Sequence, residues 1–273
     1  MLAEGVAEAQ AVNAGFLSNT EAATFWAEGI PEGDEHDLTY PGGDGTPRAA
    51  RLYKGGTGGT LLYIHGGGWT GGSIALNHRA CRLLARTSGW DVVSIAYRLA
   101  PGHPFPAGLD DCRAALRWLR PQAGRIALGG ASAGGNLALA TVLADGAEAL
   151  LLFYPVTGAD FDTDSYRQYA EGFGLSRARM AELFDLYDPT GTHRADPLLT
   201  PLNGDLTGLP TTHIIAAECD VLADDSRALA AKMPQASLHI EPGVTHGFIN
   251  RGRLIPAADR CLSQAAHFLR DLP

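Results

Sequence analysis

From residue 48 onward the chain alternates short apolar runs with longer stretches whose apolar positions recur every three or four residues. Residues 60–64 (Thr-Leu-Leu-Tyr-Ile), 148–153 (Glu-Ala-Leu-Leu-Leu-Phe) and 211–217 (Thr-Thr-His-Ile-Ile-Ala-Ala) are nearly continuous in apolar character, as strands covered on both faces require. The pattern predicts strands over 35–40, 48–53, 60–65, 91–96, 125–129, 148–153, 211–217 and 236–241, and helices over 75–88, 107–119, 133–144, 222–233 and 256–270. Such alternation is the signature of a mostly parallel eight-stranded sheet with helices on both faces. Residues 41–47 (Pro-Gly-Gly-Asp-Gly-Thr-Pro) read as a hairpin turn between the first two strands.

Residues 1–34 and 156–205 break the alternation. The second segment follows a strand, so it is expected to project over the sheet edge where ligands of open α/β sheets bind. Its Phe161, Tyr166, Tyr169, Phe173, Met180, Leu183, Phe184 and Tyr187 have helical spacing in part, and packing within the segment is the plainer role for any one of them. Phe16, Phe25 and Trp26 are expected in the same layer. Asp160, Asp162 and Asp164 alternate as in a calcium loop, but the Gly and Glu that such a loop needs do not follow.

Candidate chemistry centres on Ser132. Residues 125–139 read Arg-Ile-Ala-Leu-Gly-Gly-Ala-Ser-Ala-Gly-Gly-Asn-Leu-Ala-Leu: a strand, a sharp turn with a hydroxyl at its tip, then a helix. A nucleophile elbow has this form, and Gly130 and Gly134 leave room for neighbouring chain to pass. Attack by Ser132 Oγ on an acyl carbon needs a base to take the proton and an acid to orient that base.

In elbows of this kind the acid and then the base follow the serine along the chain. Asp220 comes after the run 211–217 and is assigned as the acid, with Glu218 as its rival; Asp224 and Asp225 read as charges of the next helix. His246, in Pro-Gly-Val-Thr-His-Gly-Phe, is assigned as the base in a Gly-flanked loop, whereas His267 belongs to an amphipathic helix. An imidazole pKa of about 6.5 suits a group that accepts a proton and returns it.

His65-Gly66-Gly67-Gly68-Trp69 follows the strand at 60–64. Bare backbone there can approach a carbonyl oxygen that turns anionic, so the amides of Gly67, Gly68 and Ala133 are expected to form an oxyanion hole. A phosphate-binding loop would carry Gly-Lys-Ser or Gly-Lys-Thr, which is absent. His65 is expected to shape the loop.

These motifs, together with Tyr97-Arg98-Leu99-Ala100-Pro101-Gly102-His103-Pro104-Phe105-Pro106-Ala107, Asp196-Pro197, Asp220-Val221-Leu222-Ala223-Asp224 and His246-Gly247-Phe248, stand in an order that resembles the hormone-sensitive-lipase family of α/β-hydrolases, nearest to bacterial acetyl esterases and short-chain carboxylesterases. The resemblance covers most of the chain. It implies an α/β-hydrolase domain over 1–273, a small helical cap built from about 1–34 and 156–205, and hydrolysis of short-chain, uncharged carboxylic esters through an acyl-enzyme. Ala131 stands where the family usually has Asp, and Gly102 where an acidic residue is common. An amidase, formamidase or peptidase would use the same residues, and a non-catalytic binding protein could keep the fold.

Composition narrows the partners. A net charge of −9 argues against nucleic acid, and no window approaches the roughly 18 apolar residues of a membrane span. The first residues lack the basic and apolar regions of a secretory signal, so a cytoplasmic location is expected. Cys81, Cys112, Cys219 and Cys261 show no paired spacing and are expected as buried thiols. Neither a cofactor nor a metal is expected; the partner is a small-molecule ester, with a homodimer left open.

Overall fold

In the structure, a computed structural model describing residues 1–16 and 18–273, eight strands form one sheet in the order β1-β2-β4-β3-β5-β6-β7-β8. The strands are β1 (Glu35–Pro41), β2 (Pro47–Tyr53), β3 (Thr60–Ile64), β4 (Asp91–Ile95), β5 (Ile126–Ala131), β6 (Ala149–Phe153), β7 (Thr211–Cys219) and β8 (Ala236–Thr245). Pairs β1–β2 and β2–β4 are antiparallel and the remaining pairs parallel.

Side chains alternate across the sheet and divide the core into two layers. Leu62 and Ile64 of β3 and Leu150 and Leu152 of β6 join one layer, while Leu61, Tyr63, Leu151 and Phe153 join the other. The first layer is closed by α4 (Ala107–Leu119), α5 (Ala133–Asp145) and α8 (Ala223–Lys232). The second is closed by α3 (His78–Ser88) and α9 (Pro256–Arg270), with α1 (Val6–Ala14) and α2 (Asn19–Ala27) beside them. Two short helices, α6 (Asp164–Gln168) and α7 (Arg177–Tyr187), follow β6. Ser18, Thr163 and Ser176 start α2, α6 and α7, each side chain accepting from the backbone N–H three residues on.

The expected strands and helices are present, with local differences. The expected helix at 75–88 begins as a 3-10 turn, Ala75–Asn77, and becomes α-helical at His78. β8 runs on through Pro242 and Gly243 to Thr245, so His246 directly follows a strand instead of lying within a loop. An edge strand tolerates Pro242 because the missing N–H costs it no ladder bond, and the Gly243 N–H goes instead to Glu218 Oε2 at 2.8 Å. Among the described residues, no helix is long and apolar enough to cross a membrane.

Candidate active site

β5 ends at Ala131 and α5 begins at Ala133, leaving Ser132 alone in the turn at φ 56°, ψ −122°. A residue with a side chain holds that conformation only when its surroundings fix it. Here the Ser132 N–H donates to Phe153 O at 2.9 Å, and its carbonyl accepts from Asn136 N at 3.0 Å. Gly134 is required by close approach: a Cβ there would strike the carbonyls of Ile64 and His65. The hydroxyl is thereby lifted to the end of the sheet.

His246 bridges the other two groups. Its Nε2 lies 2.9 Å from Ser132 Oγ and its Nδ1 2.7 Å from Asp220 Oδ2. Asp220 is almost wholly buried, and its second oxygen accepts from Leu222 N at 3.1 Å, which fixes the carboxylate plane. The rival acids are engaged elsewhere. Glu218 holds Gly243, while Asp224 accepts from Ser165 N at 2.8 Å and pairs with Arg227. His267 is exposed on α9.

Gly67 and Gly68, both at positive φ (130° and 60°), line the same cavity as Ser132. Among the described residues, the amides of Gly67, Gly68 and Ala133 find no protein acceptor. His65 is buried and stacks on Tyr97 at 4.4 Å, with its Nδ1 2.9 Å from Gly66 O; burial holds its pKa down to about 4, so it is a neutral ring supporting the loop.

Sequence reasoning missed several residues that position these groups. Asn136 accepts from Trp69 Nε1 at 3.3 Å and donates to Val156 O and Leu199 O at 3.0 and 2.9 Å, tying the glycine loop to the segment after β6. Tyr154, at φ 36°, sets its ring 4.8 Å from that of His246. Asp225 is buried and accepts from Thr157 N and Gly158 N at 2.7 and 2.8 Å, and burial pushes its pKa up to about 7. The only sequence signal for Asn136 is its place in the elbow motif; Tyr154 and Asp225 have none.

The cavity has a volume of about 340 Å³, near the lower end for small-molecule sites. Trp26 of α2 and Met180 and Leu183 of α7 form its apolar walls. Most of the expected aromatic layer packs on itself. Tyr187 stacks on Trp69 at 4.6 Å, Phe184 meets it edge-on at 5.1 Å, and Phe16, Phe25 and Trp26 cluster together. Asp162 and Asp164 pair with Arg177 and Arg167. Away from the cavity, His239, Glu241 and Cys261 bring potential metal-ligand atoms within 4.8 Å of one another. Hydrogen bonding already satisfies that set: Glu241 lies 2.8 Å from His239 Nε2, accepts from Cys261 Sγ and pairs with Arg260. All four cysteines are buried and free.

Known proteins show the family to which the fold belongs. Residues 61–250 match the family described as alpha/beta hydrolase fold. Over 260 residues the chain is 35% identical to an ethyl acetate hydrolase of Pseudomonas putida, a match spanning 86% of this chain and 81% of that one. An ester hydrolase from the metagenome of Lake Arreo, solved with a derivative of bipyridine phosphonate, aligns with a TM-score of 0.89 at 30% identity over 99% of this chain and 98% of that one. An esterase from the bacterial hormone-sensitive lipase family aligns with a TM-score of 0.85 at 26% identity, covering 98% and 96% of the two chains. The chain belongs to the α/β-hydrolase family, in its hormone-sensitive-lipase branch.

Proposed function

We propose that this protein is a serine carboxylesterase for short-chain esters, with Ser132 as nucleophile, His246 as general base and acid, and Asp220 as the orienting carboxylate. The observation that carries the reading is the unbroken relay from Ser132 Oγ through His246 to Asp220, at 2.9 and 2.7 Å, opening into one small cavity. As Oγ attacks the ester carbon, its proton passes to His246 Nε2 and the carbonyl electrons move onto oxygen. The amides of Gly67, Gly68 and Ala133 receive that charge, which exists only beyond the ground state, so their effect falls on kcat. Collapse returns the proton to the departing alcohol, and water repeats the cycle on the acyl-enzyme. With Ala131 in place of a carboxylate, none of these steps loses a participant.

Segments 1–34 and 156–205 act as the cap, since Asn13, Trp26, Leu175, Arg179, Met180 and Leu183 all face the cavity. Its small volume and the activity named for the Pseudomonas putida relative support acyl chains of about two to six carbons. A series of p-nitrophenyl esters beside an aryl amide tests this. The kcat/KM should rise and then fall with chain length, with the ester far ahead of the amide. A kcat/KM still climbing beyond about ten carbons would reject the closed pocket, and a preferred amide would move the protein to another hydrolase class.

A further inference from the structure

One wall of the cavity carries a charge that ester hydrolysis does not use. Arg251 lines it together with Ser132 and His246, just past the turn Phe248–Asn250. Among the described residues no carboxylate pairs with its guanidinium and no acceptor takes a hydrogen bond from it. Nearby arginines differ: Arg253 pairs with Glu28 at 2.7 Å and Arg260 with Glu241 at 3.1 Å. Arg251 also bears a desolvation cost, since burial pulls its pKa below the ordinary value, and the group that opposes this shift is the Tyr154 phenol and not a carboxylate. The group nevertheless stays protonated at any working pH.

The backbone that carries this charge is fixed. Arg251 N donates to Phe248 O at 2.8 Å, and Arg251 O accepts from Leu254 N and Ile255 N at 3.0 and 2.9 Å. The guanidinium lies against Gly247, the residue after the base, where a Cβ would come within 3.5 Å of Nη2. Asn250 is already committed through Nδ2 to Asn77 Oδ1 at 3.0 Å. The lining holds no Asp or Glu at all; its other charge, Arg179, lies exposed and is neutralised by Glu182 at 2.6 Å. In a chain of net charge −9, an acid-free pocket with an unpaired arginine suits an anionic substrate group.

We propose that Arg251 binds a carboxylate on the substrate, so that the preferred esters are short ones carrying a carboxylate on the acyl or the alcohol part. This rests on the ester-hydrolase reading and replaces the expectation of an uncharged ester. The guanidinium fork can hold both carboxylate oxygens, and the shielded cavity strengthens the pairing.

Paired substrates followed by alkali uptake test it: monoethyl succinate against ethyl pentanoate for the acyl side, and O-acetylglycolate against propyl acetate for the alcohol side. In one pair the carboxylate member should exceed its neutral partner in kcat/KM by about tenfold or more, the scale of one charge-assisted hydrogen bond. Arg251→Met should reduce that ratio by a similar factor, and Arg251→Lys should restore part of it. A wild-type preference for the neutral member in both pairs overturns the proposal without need of any variant, and so does an Arg251→Met protein that leaves the ratio unchanged. Failure to hydrolyse any of the four esters would overturn the ester-hydrolase reading itself, and this inference with it.

Discussion

Around Ser132 the reacting groups are held by directional hydrogen bonds, whereas α7 over the cavity packs largely through its rings. Asp220 uses both oxygens, His246 both nitrogens and Asn136 its whole amide. Over the cavity, Tyr187 and Phe184 lean on Trp69, and the buried hydroxyls of Tyr166 and Tyr187 go without a partner. The difference teaches where positional precision is needed. Bond making tolerates little displacement of the reacting groups, so the strand ends are locked by directional bonds. Choosing an acyl chain requires shape, which apolar packing supplies and can change without disturbing the chemistry.

Breaking the locked region should cost most. His246→Ala should lower kcat by on the order of 10⁶, as loss of a triad base does, while His267→Ala should stay near wild type. Steady-state kinetics on a butyrate ester would show whether the two histidines separate in this way.

Asp220→Asn should lower kcat by on the order of 10⁴, because the amide cannot hold the imidazole in the required tautomer. Asp224→Asn and Glu218→Gln, whose carboxylates serve backbone contacts, should each cost far less. A reversed ranking would move the acid. Gly67→Ala keeps the N–H but must displace it, because φ is 130° and a Cβ there would strike the Gly71 carbonyl, so kcat should fall by about 10² to 10³ with a smaller change in KM.

A milder change tests Asp225, which ties α8 to the segment after β6. Burial raises the Asp225 carboxyl from its usual 3.8 to about 7, so the folded chain holds a proton that the unfolded chain releases between those values. Its contribution to stability is therefore greatest below about 4 and is lost as pH rises through 7. Between pH 5 and 8 the wild-type Tm should fall more than that of Asp225→Asn. Equal slopes in thermal melts would show that Asp225 does not titrate there.

The smallest effect belongs to the cavity wall. Met180→Ala should enlarge the pocket and shift the best acyl chain upward by about two carbons, with a few-fold change in kcat/KM at about 0.8 kcal/mol per CH₂ buried. An unmoved optimum across the ester series would place the chain-length limit elsewhere.

Most strands were legible in the sequence because burial on both faces demands continuous apolar runs such as 148–153. Ser132, the glycine loop and the order of Asp220 and His246 were legible because the chemistry needs particular residue types after particular strands. Other features were hidden. The expected loop before His246 is strand, since β8 lies at the sheet edge and can carry Pro242. Helix α1 (Val-Ala-Glu-Ala-Gln-Ala-Val-Asn-Ala) has small apolar residues spread around its circumference, so it shows no amphipathic stripe. Arg251 was invisible for a different reason: an arginine in Asn-Arg-Gly-Arg reads as surface, and only the fold turns one of the two into the cavity.

The central claim is that a single serine, held by His246 and Asp220, carries the acyl group. The most direct measurement is the stoichiometry of covalent labelling by a fluorophosphonate, read by intact mass on the wild type and on Ser132→Ala. One label per wild-type chain and none on the variant is the predicted result; a label retained by Ser132→Ala, or undiminished ester hydrolysis by that variant, would contradict it.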